Sequence, residues 1–269
     1  MATIVILEHE LQQYVELPYM MRTFAEHWRA CGHQVHLHHG LGEPPPGDLA
    51  ILHVDLTVVP PAYLQLLRRF PRTVNAAVAD VSKRRFSADL LDRYSDWIGP
   101  VIVKTDRNFG GKPEQLLRAV GARAGGAMDI DEGAVAESYP VYESLRRVPP
   151  AVWGDPGLIV ERFLPERDGE EYALRVWTVL GDRDRSVRWR AREPIVKAGN
   201  MIGRDEVEVP AALREWRRRL GFDFGKFDYV RHGERWVLLD VNRTPSYPRQ
   251  SRGPDPLAAL AEGVESYLR

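Results

Sequence analysis

The chain has 269 residues, 44% of them hydrophobic, enough to bury a sizeable core in one large domain or in two to three small ones. Its 37 lysines and arginines against 38 acids leave a net charge of −1, so it lacks the basic surplus that nucleic-acid binding draws on. The single cysteine, Cys31, excludes an internal disulfide and a cysteine-rich zinc site, and fits a reducing cytoplasm.

Residues 3–7 form a short apolar run followed by Glu8, His9 and Glu10, without the basic start or the length of a secretory signal. No stretch reaches the roughly eighteen apolar residues of a membrane span, and we expect neither export nor anchoring. Residues 3–7, 34–37 and 49–54 are β-rich runs separated by helical patterns, the alternation of βαβ units and a parallel sheet. Met20, Met21, Phe24, Ala25 and Trp28 lie on one helical face, and Gly32 after Cys31 suits its C-terminal cap. Pro60 and Pro61 open a second helix carrying Tyr63, Leu64, Leu66, Leu67 and Phe70, which Pro71 ends. Residues 1–80 therefore read as a small open α/β domain. Ser87 has helix-start chemistry with Asp89 in the first turn, which predicts a helical link over residues 87–94.

Next come a strand over residues 100–104, a turn over 105–111, a helix over 113–120 and a loop of small and acidic residues over 121–133. Strands follow at 158–163, 172–180 and 186–191, the last two joined by a hairpin turn at Gly181 and Asp182. Residues 211–220 form a basic amphipathic helix, 227–231 and 236–241 a hairpin around His232 and Gly233, and 256–268 a final helix.

The most informative chemistry lies in Gly225-Lys226-Phe227-Asp228 and, across the hairpin, Leu239-Asp240-Val241-Asn242-Arg243-Thr244-Pro245. Alternation puts Asp240 and Asn242 on one face, and a formed hairpin lets Asp228 join them. Two carboxylates and an amide oxygen beside nucleotide phosphates suit Mg²⁺, which takes hard oxygen ligands and completes its shell with phosphate and water. Strands disfavour Asp and Asn, and here three stand among the apolar positions Phe227, Val230, Leu238 and Leu239. We therefore prefer a metal site to a solvated strand face. A second segment delivers Lys104 at a strand end ahead of Gly110 and Gly111. Such a loop can bring backbone N–H groups to phosphate oxygens, with the lysine as a point charge.

The order of these segments resembles the ATP-grasp superfamily, in particular its carboxylate-amine ligases such as the D-alanine ligases, glutathione synthetases and ribosomal-protein glutamate ligases. The resemblance covers roughly residues 80–250 and is strongest at Asp240-Val241-Asn242-Arg243-Thr244-Pro245. It implies an α/β and α+β architecture with a Rossmann-like domain over 1–80, a central lid lobe over 81–165 and a metal-bearing C-terminal lobe over 166–269. On it, Lys83 and Lys104 are the phosphate lysines, Gly110 and Gly111 belong to a flap, and Glu161, Arg162, Phe163 and Leu164 form the hinge that holds adenine. Glu170 or Glu171 binds the ribose, Glu171 being taken here. Asp228, Asp240 and Asn242 are the metal ligands, Asp240 standing where many members have Glu. Lys226 meets the reacting phosphoryl or acyl group. The γ-phosphate contact falls to one of Arg175, Arg190, Arg192 and Lys197, of which Arg192 is taken here.

The implied reaction joins a small-molecule or peptide carboxylate to an amine through an acyl phosphate, with ATP and Mg²⁺ (or Mn²⁺) as cofactors, in the cytoplasm. The flap over residues 108–112 would close to shield the acyl phosphate from water. A small-molecule kinase on the same fold and a nucleotide-binding module without chemistry remain as rivals. Arg243, Arg249 and Arg252 suggest either an anionic substrate or a solvated basic loop, and the sequence leaves self-association open. Glu8, His9, His53 and Asp55 lie where open α/β sheets bind ligands, with a purely structural role the preferred reading. His33, His36, His38 and His39 read as surface histidines, and Trp177, Trp189, Trp216 and Trp236 as packing residues.

Overall fold

The computed structural model describes residues 1–123, 139–247 and 256–269. Arg249, Arg252 and residues 124–133 of the loop expected over 121–133 lie outside the described residues.

Thr3–Glu8 (β1) is a run of β-branched and aliphatic residues buried on both faces, as a central parallel strand requires. Met20–Ala30 (α1) turns Met20, Met21, Phe24, Ala25 and Trp28 to the core. It ends in a Schellman cap: Gly32 takes a φ of +90°, its N–H donates to Arg29 O at 3.0 Å, and the His33 N–H donates to Trp28 O at 3.0 Å. Gln34–His39 (β2), Leu49–Leu52 (β3), Pro61–Leu67 (α2) and Thr73–Val74 (β4) complete a parallel sheet of order β2-β1-β3-β4. Ile4, Ile6, Phe24 and Trp28 pack on one side of it with Leu180, Phe224, Leu257 and Val264 from the far end of the chain. Val5, Leu7, Ala50 and Leu52 face the other way, onto Tyr63, Leu66 and Leu67 of α2.

The link to the second sheet departs from the sequence expectation. The helix is Lys83–Phe86 (α3), ahead of Ser87, and Leu90–Leu91 (β5) is a strand. Ser87 closes α3, its N–H donating to Lys83 O at 2.9 Å, while Leu90 and Leu91 pair antiparallel with Glu161 and Val160. Sheet pairing thus outweighs the capping preference of a serine. Asp89 pairs with Arg162 and Arg235.

Val101–Thr105 (β6), Lys112–Arg123 (α4), Val141–Tyr142 (β7), Pro150–Gly154 (α5) and Leu158–Arg162 (β8) follow. The second sheet is antiparallel, of order β5-β8-β6-β7, around Val101, Val103, Leu145, Val148 and Val160. α4 runs through Gly121, two residues past the start of the expected loop.

Glu166–Asp168 (β9), Glu171–Leu180 (β10), Arg183–Ala191 (β11), Gly203–Glu206 (β12), Ala211–Leu220 (α6), Phe224–His232 (β13) and Arg235–Asn242 (β14) build the third sheet. Its order is β12-β11-β10-β13-β14, with β9 paired to the start of β10. One face packs Trp177, Val179, Phe227, Tyr229, Leu238 and Val241 with Leu213 of α6. The opposite face carries Val230 and Val237 with Leu164 of the β8–β9 link. Asp228 pairs with Asp240 whereas Tyr229 pairs with Leu238, so Leu239 is an extra residue, a β-bulge in β14. Ala258–Ala261 (α7) returns to the first sheet, where Trp28 Nε1 donates to Ala261 O at 2.8 Å. No helix among the described residues is long and apolar enough to cross a membrane.

Candidate active site

Register sets Lys226 opposite Asn242 and Asp228 opposite Asp240, so the four share one face of the third sheet. Gly225 permits this close pairing, because a Cβ there would sit 2.8 Å from Asn242 O and 2.5 Å from the Phe222 ring. Lys226 Nζ donates to Asp228 Oδ2 at 3.0 Å. Burial opposes the Lys226 charge, but the Asp228 carboxylate outweighs it and raises the lysine pKa. Burial also raises the Asp228 carboxyl, with Lys226 opposing the rise and Asp240 adding to it. Lys83, at the start of α3, is 2% exposed; its Nζ donates to Arg107 O at 2.6 Å and lies 3.6 Å from Asp240 Oδ1. Each of the two opposed aspartates therefore has an ammonium group beside it.

Lys104, near the end of β6, makes a buried ion pair with Glu161 of β8, Nζ to Oε2 2.7 Å. Tyr139 joins this corner, a residue the sequence reading passed over. It stands one residue before Pro140, whose carbonyl accepts from the Val103 N–H. Burial and the Asp240 charge push its phenol up to about 12, against Lys104. Its only sequence signal was a tyrosine ahead of a short β-rich pair.

The loop Asn108–Gly111 is a kinked, non-helical turn in which Phe109 (φ 47°), Gly110 (φ 68°) and Gly111 (φ 82°) follow one another in the left-handed region. Glycine tolerates this conformation and phenylalanine does not, so Phe109 is held there at a cost of about 1 kcal/mol. Successive N–H groups in such a turn form an anion-binding concavity, and the N-terminus of α4 follows directly. Asn108 opens the loop. It is 2% exposed, its N–H donates to Thr57 Oγ1 at 3.0 Å and its Nδ2 donates to Asn242 Oδ1 at 3.3 Å.

Beyond β14, Asn242 Oδ1 also accepts from the Thr244 N–H at 2.8 Å. Thr244 Oγ1 donates to Asp55 Oδ1, and the Tyr19 hydroxyl donates to Asp55 Oδ2 at 2.8 Å. Arg243 is fully buried and donates to the carbonyls of Val54, Leu56 and Val78, which makes it a strut to the first sheet, neither substrate-facing nor solvated. Burial lowers its pKa to about 10. Glu8 is similarly engaged inside the protein, 2.6 Å from Arg22 Nη2 and 3.0 Å from His39 Nε2 and from His53 Nδ1. His33 pairs with Glu265, His38 meets the Gly42 carbonyl and His36 is exposed, so the histidines around β2 point to separate partners.

The remaining sequence-derived residues are distributed unevenly. Arg175 is taken up by Glu166, and Arg190 by Glu171 and Asp205. Glu171 is thereby engaged, whereas Glu170, Arg192 and Lys197 are exposed. In the hinge, the Arg162 N–H donates to Asp89 O and the Phe163 N–H to Pro100 O, which takes both donors away from a purine edge. Leu164 packs with Val230 and Val237, and Leu174 and Leu239 extend this apolar surface.

Among the described residues, the buried side-chain oxygens Asp228 Oδ1, Asn108 Oδ1 and Glu161 Oε1 have no hydrogen-bond donor. Leaving such an acceptor unmet costs about 1–3 kcal/mol, and an all-oxygen set of this kind suits a hard cation. Among the described residues no group of three or more His, Cys, Asp or Glu side chains could hold a metal ion. A cation here would draw further oxygens from elsewhere, as Mg²⁺ on a nucleotide does.

No protein-family model matches the sequence, and the curated proteins contain no match. Solved structures do match in shape. The D-alanine–D-alanine ligase of Bacillus anthracis is 12% identical with a TM-score of 0.52, the match covering 100% of this chain and 96% of that one. The ATP-grasp ligase PsnB, complexed with a minimal precursor, Mg and ADP, is 12% identical with a TM-score of 0.56, covering 99% and 97%. The macrocyclase MdnC of Microcystis aeruginosa MRC, bound with precursor peptide MdnA, is 11% identical with a TM-score of 0.54, covering 97% and 98%. At these identities the likeness concerns the fold, and it runs the length of the chain: this protein has the ATP-grasp fold.

Proposed function

We propose that the protein is an ATP-dependent ligase that activates a carboxylate as an acyl phosphate and passes it to an amine. The observation that carries this reading is that Lys83 and Lys226 flank two opposed aspartates, with the left-handed glycine loop joined to Asn242 and Lys104 paired to Glu161 beside it. Asp228, Asp240 and Asn242 would hold Mg²⁺ (or Mn²⁺). Bound there with the nucleotide, the ion supplies charge neutralisation on the phosphate oxygens.

The chain's own groups do the rest. Lys83 and Lys104 act as fixed charges on the triphosphate, and the N–H groups of Phe109, Gly110 and Gly111 hold its oxygens. Glu161, Arg162, Phe163 and Leu164 border the adenine, with Leu164 and Leu239 supplying apolar surface to its ring; Glu171 serves the ribose and Arg192 the γ-phosphate. Arg175 and Arg190 are engaged by acids, which leaves the exposed Arg192 and Lys197 free to move onto a phosphate, and Arg192 is our choice. The substrate carboxylate attacks the γ-phosphorus in line, which splits one hard acyl transfer into two easier steps. Lys226 then steadies the negative charge on the carbonyl oxygen as the amine attacks. Closure of the 108–112 loop shields the acyl phosphate from water.

The three sheets support a division into lobes over 1–80, 81–165 and 166–269, with the nucleotide between the second and third. D-alanine ligase, PsnB and MdnC share the fold, a minimal precursor accompanies PsnB and a precursor peptide MdnC, which favours an amino-acid or peptide carboxylate and a ligase over a kinase. The expected location is the cytoplasm.

The test is isotopic. With ATP, Mg²⁺ and a screened pair of carboxylate and amine, an ¹⁸O-labelled carboxylate should deliver label to the released phosphate, because the oxygen bridging carbon and phosphorus came from the substrate. Unlabelled phosphate, or a stable phosphomonoester, would overturn the acyl-phosphate reading.

A further inference from the structure

The glycine loop reaches Asn242, two residues beyond Asp240, through the side chain of Asn108. Its amide is 2% exposed, donates through Nδ2 to Asn242 Oδ1 at 3.3 Å, and keeps an Oδ1 that no donor meets. The backbone of Asn108 is fixed independently by its N–H on Thr57 Oγ1 at 3.0 Å. That threonine is itself held, its N–H donating to Glu114 Oε1 of α4 at 2.7 Å.

The spacing carries the argument. Two oxygens on adjacent positions of one Mg²⁺ octahedron lie about 3 Å apart, which follows from metal–oxygen distances of about 2.1 Å. A half-turn of the Asn108 amide about its last torsion exchanges Oδ1 with Nδ2 and sets Oδ1 about 3.3 Å from Asn242 Oδ1. Two carbonyl oxygens at that distance repel unless a cation lies between them. On the facing strand Asp228 stands opposite Asp240, and among the described residues its Oδ1 is a further acceptor without a donor.

We propose that Asn108 is a cation ligand contributed by the glycine loop. Without a cation its amide nitrogen donates to Asn242. With one, the amide turns and its oxygen joins Asp228, Asp240 and Asn242 on the ion. The loop is then seated over the phosphates by the same ion that the phosphates bring, so cation binding and loop closure become one event. This rests on the proposed nucleotide-dependent function of the site.

The experiment is a Mn²⁺ titration of the full chain in the presence of saturating ADP, read by the loss of the free-ion electron paramagnetic resonance signal. Asn108→Ala should weaken Mn²⁺ by about tenfold, whereas Asn108→Asp, which keeps an oxygen and adds charge, should bind Mn²⁺ as tightly as the parent or more tightly. A role as hydrogen-bond donor to Asn242 or to phosphate predicts the reverse order, since Asp cannot donate. Parent-like affinity in Asn108→Ala, or weaker affinity in Asn108→Asp than in Asn108→Ala, would overturn the proposal. If Asn108→Ala does not fold, Asn108→Ser takes its place with the same expected loss. A parent protein that binds neither Mn²⁺ nor ADP would instead remove the proposed function, and the two failures are thereby distinct.

Discussion

Opposite faces of the third sheet each carry an acid, buried at Glu166 and half-buried at Asp228, and the two are provided for differently. On one face Glu166 accepts from Arg175, from Arg188 and from the Arg231 N–H, so both of its oxygens are met. On the other, Asp228 accepts from Lys226 through Oδ2 and leaves Oδ1 without a donor. Burial raises both carboxyls. At Glu166 the arginine and backbone donors outweigh it and hold the pKa below the ordinary range, whereas Asp228 stays raised. An acid whose donors all come from the chain serves folding. One left short of donors inside a cleft is held in reserve for something that arrives.

The sharpest way to break this contrast is to empty the unfinished side. Asp240→Ala or Asn242→Ala should cut Mg²⁺-dependent ATP turnover by about a hundredfold or more, with the thermal melt moving by only a few degrees. Turnover within about twofold of the parent would move these residues to the folding side of the comparison. Lys226→Met should lower kcat by about a hundredfold while changing the KM for ATP far less, since its charge is needed where negative charge develops. An equal loss in ATP affinity would make Lys226 a nucleotide contact.

The finished side should respond in the opposite sense. Glu166→Gln strips the counter-charge from Arg175 and Arg188 and should cost about 3 kcal/mol in urea unfolding, while Mn²⁺ affinity stays at the parental value. A smaller effect concerns acid. Because the folded pKa of Glu166 is depressed, its contribution is complete above the unfolded pKa, about 4.3, and is lost as pH falls through the folded value. Parental urea midpoints should therefore drop between about pH 5 and pH 3 more steeply than those of Glu166→Gln. Parallel pH profiles would mean that Glu166 is not held low by its partners.

Much of this architecture is legible before any coordinates. The aliphatic run of β1, the spacing of Met20 to Trp28 and the Gly32 cap are local signals, and they survive because local propensity and tertiary packing agree there. Alternation correctly put Asp240 and Asn242 on one face. Ser87 misled because its capping chemistry is genuine but competes with the pairing of Leu90 and Leu91 to β8, which no local window contains. The commitment of Arg175 to Glu166 and of Arg243 to three carbonyls of the first sheet depends on contacts that only the fold creates. Asn108 was hidden for a different reason. Asparagine before Phe-Gly-Gly is ordinary turn chemistry, and only its burial and its unmet oxygen distinguish it.

The extra residue in β14 gives the cleft a boundary. Ordinary alternation separates an apolar and a charged neighbour onto two sides of a sheet. At the bulge Leu239 faces the same way as Asp240, beside Leu164 and Leu174, while Asp240 lies 3.6 Å from the Lys83 ammonium. Two solvents therefore meet within about 3.8 Å, the step from one Cα to the next. One is as dry as a protein core and the other is built of fixed charge. A molecule that is flat and oily at one end and multiply anionic at the other finds both ends of its environment on consecutive residues, and a chain with Leu239 deleted would regain a regular ladder and lose that coastline.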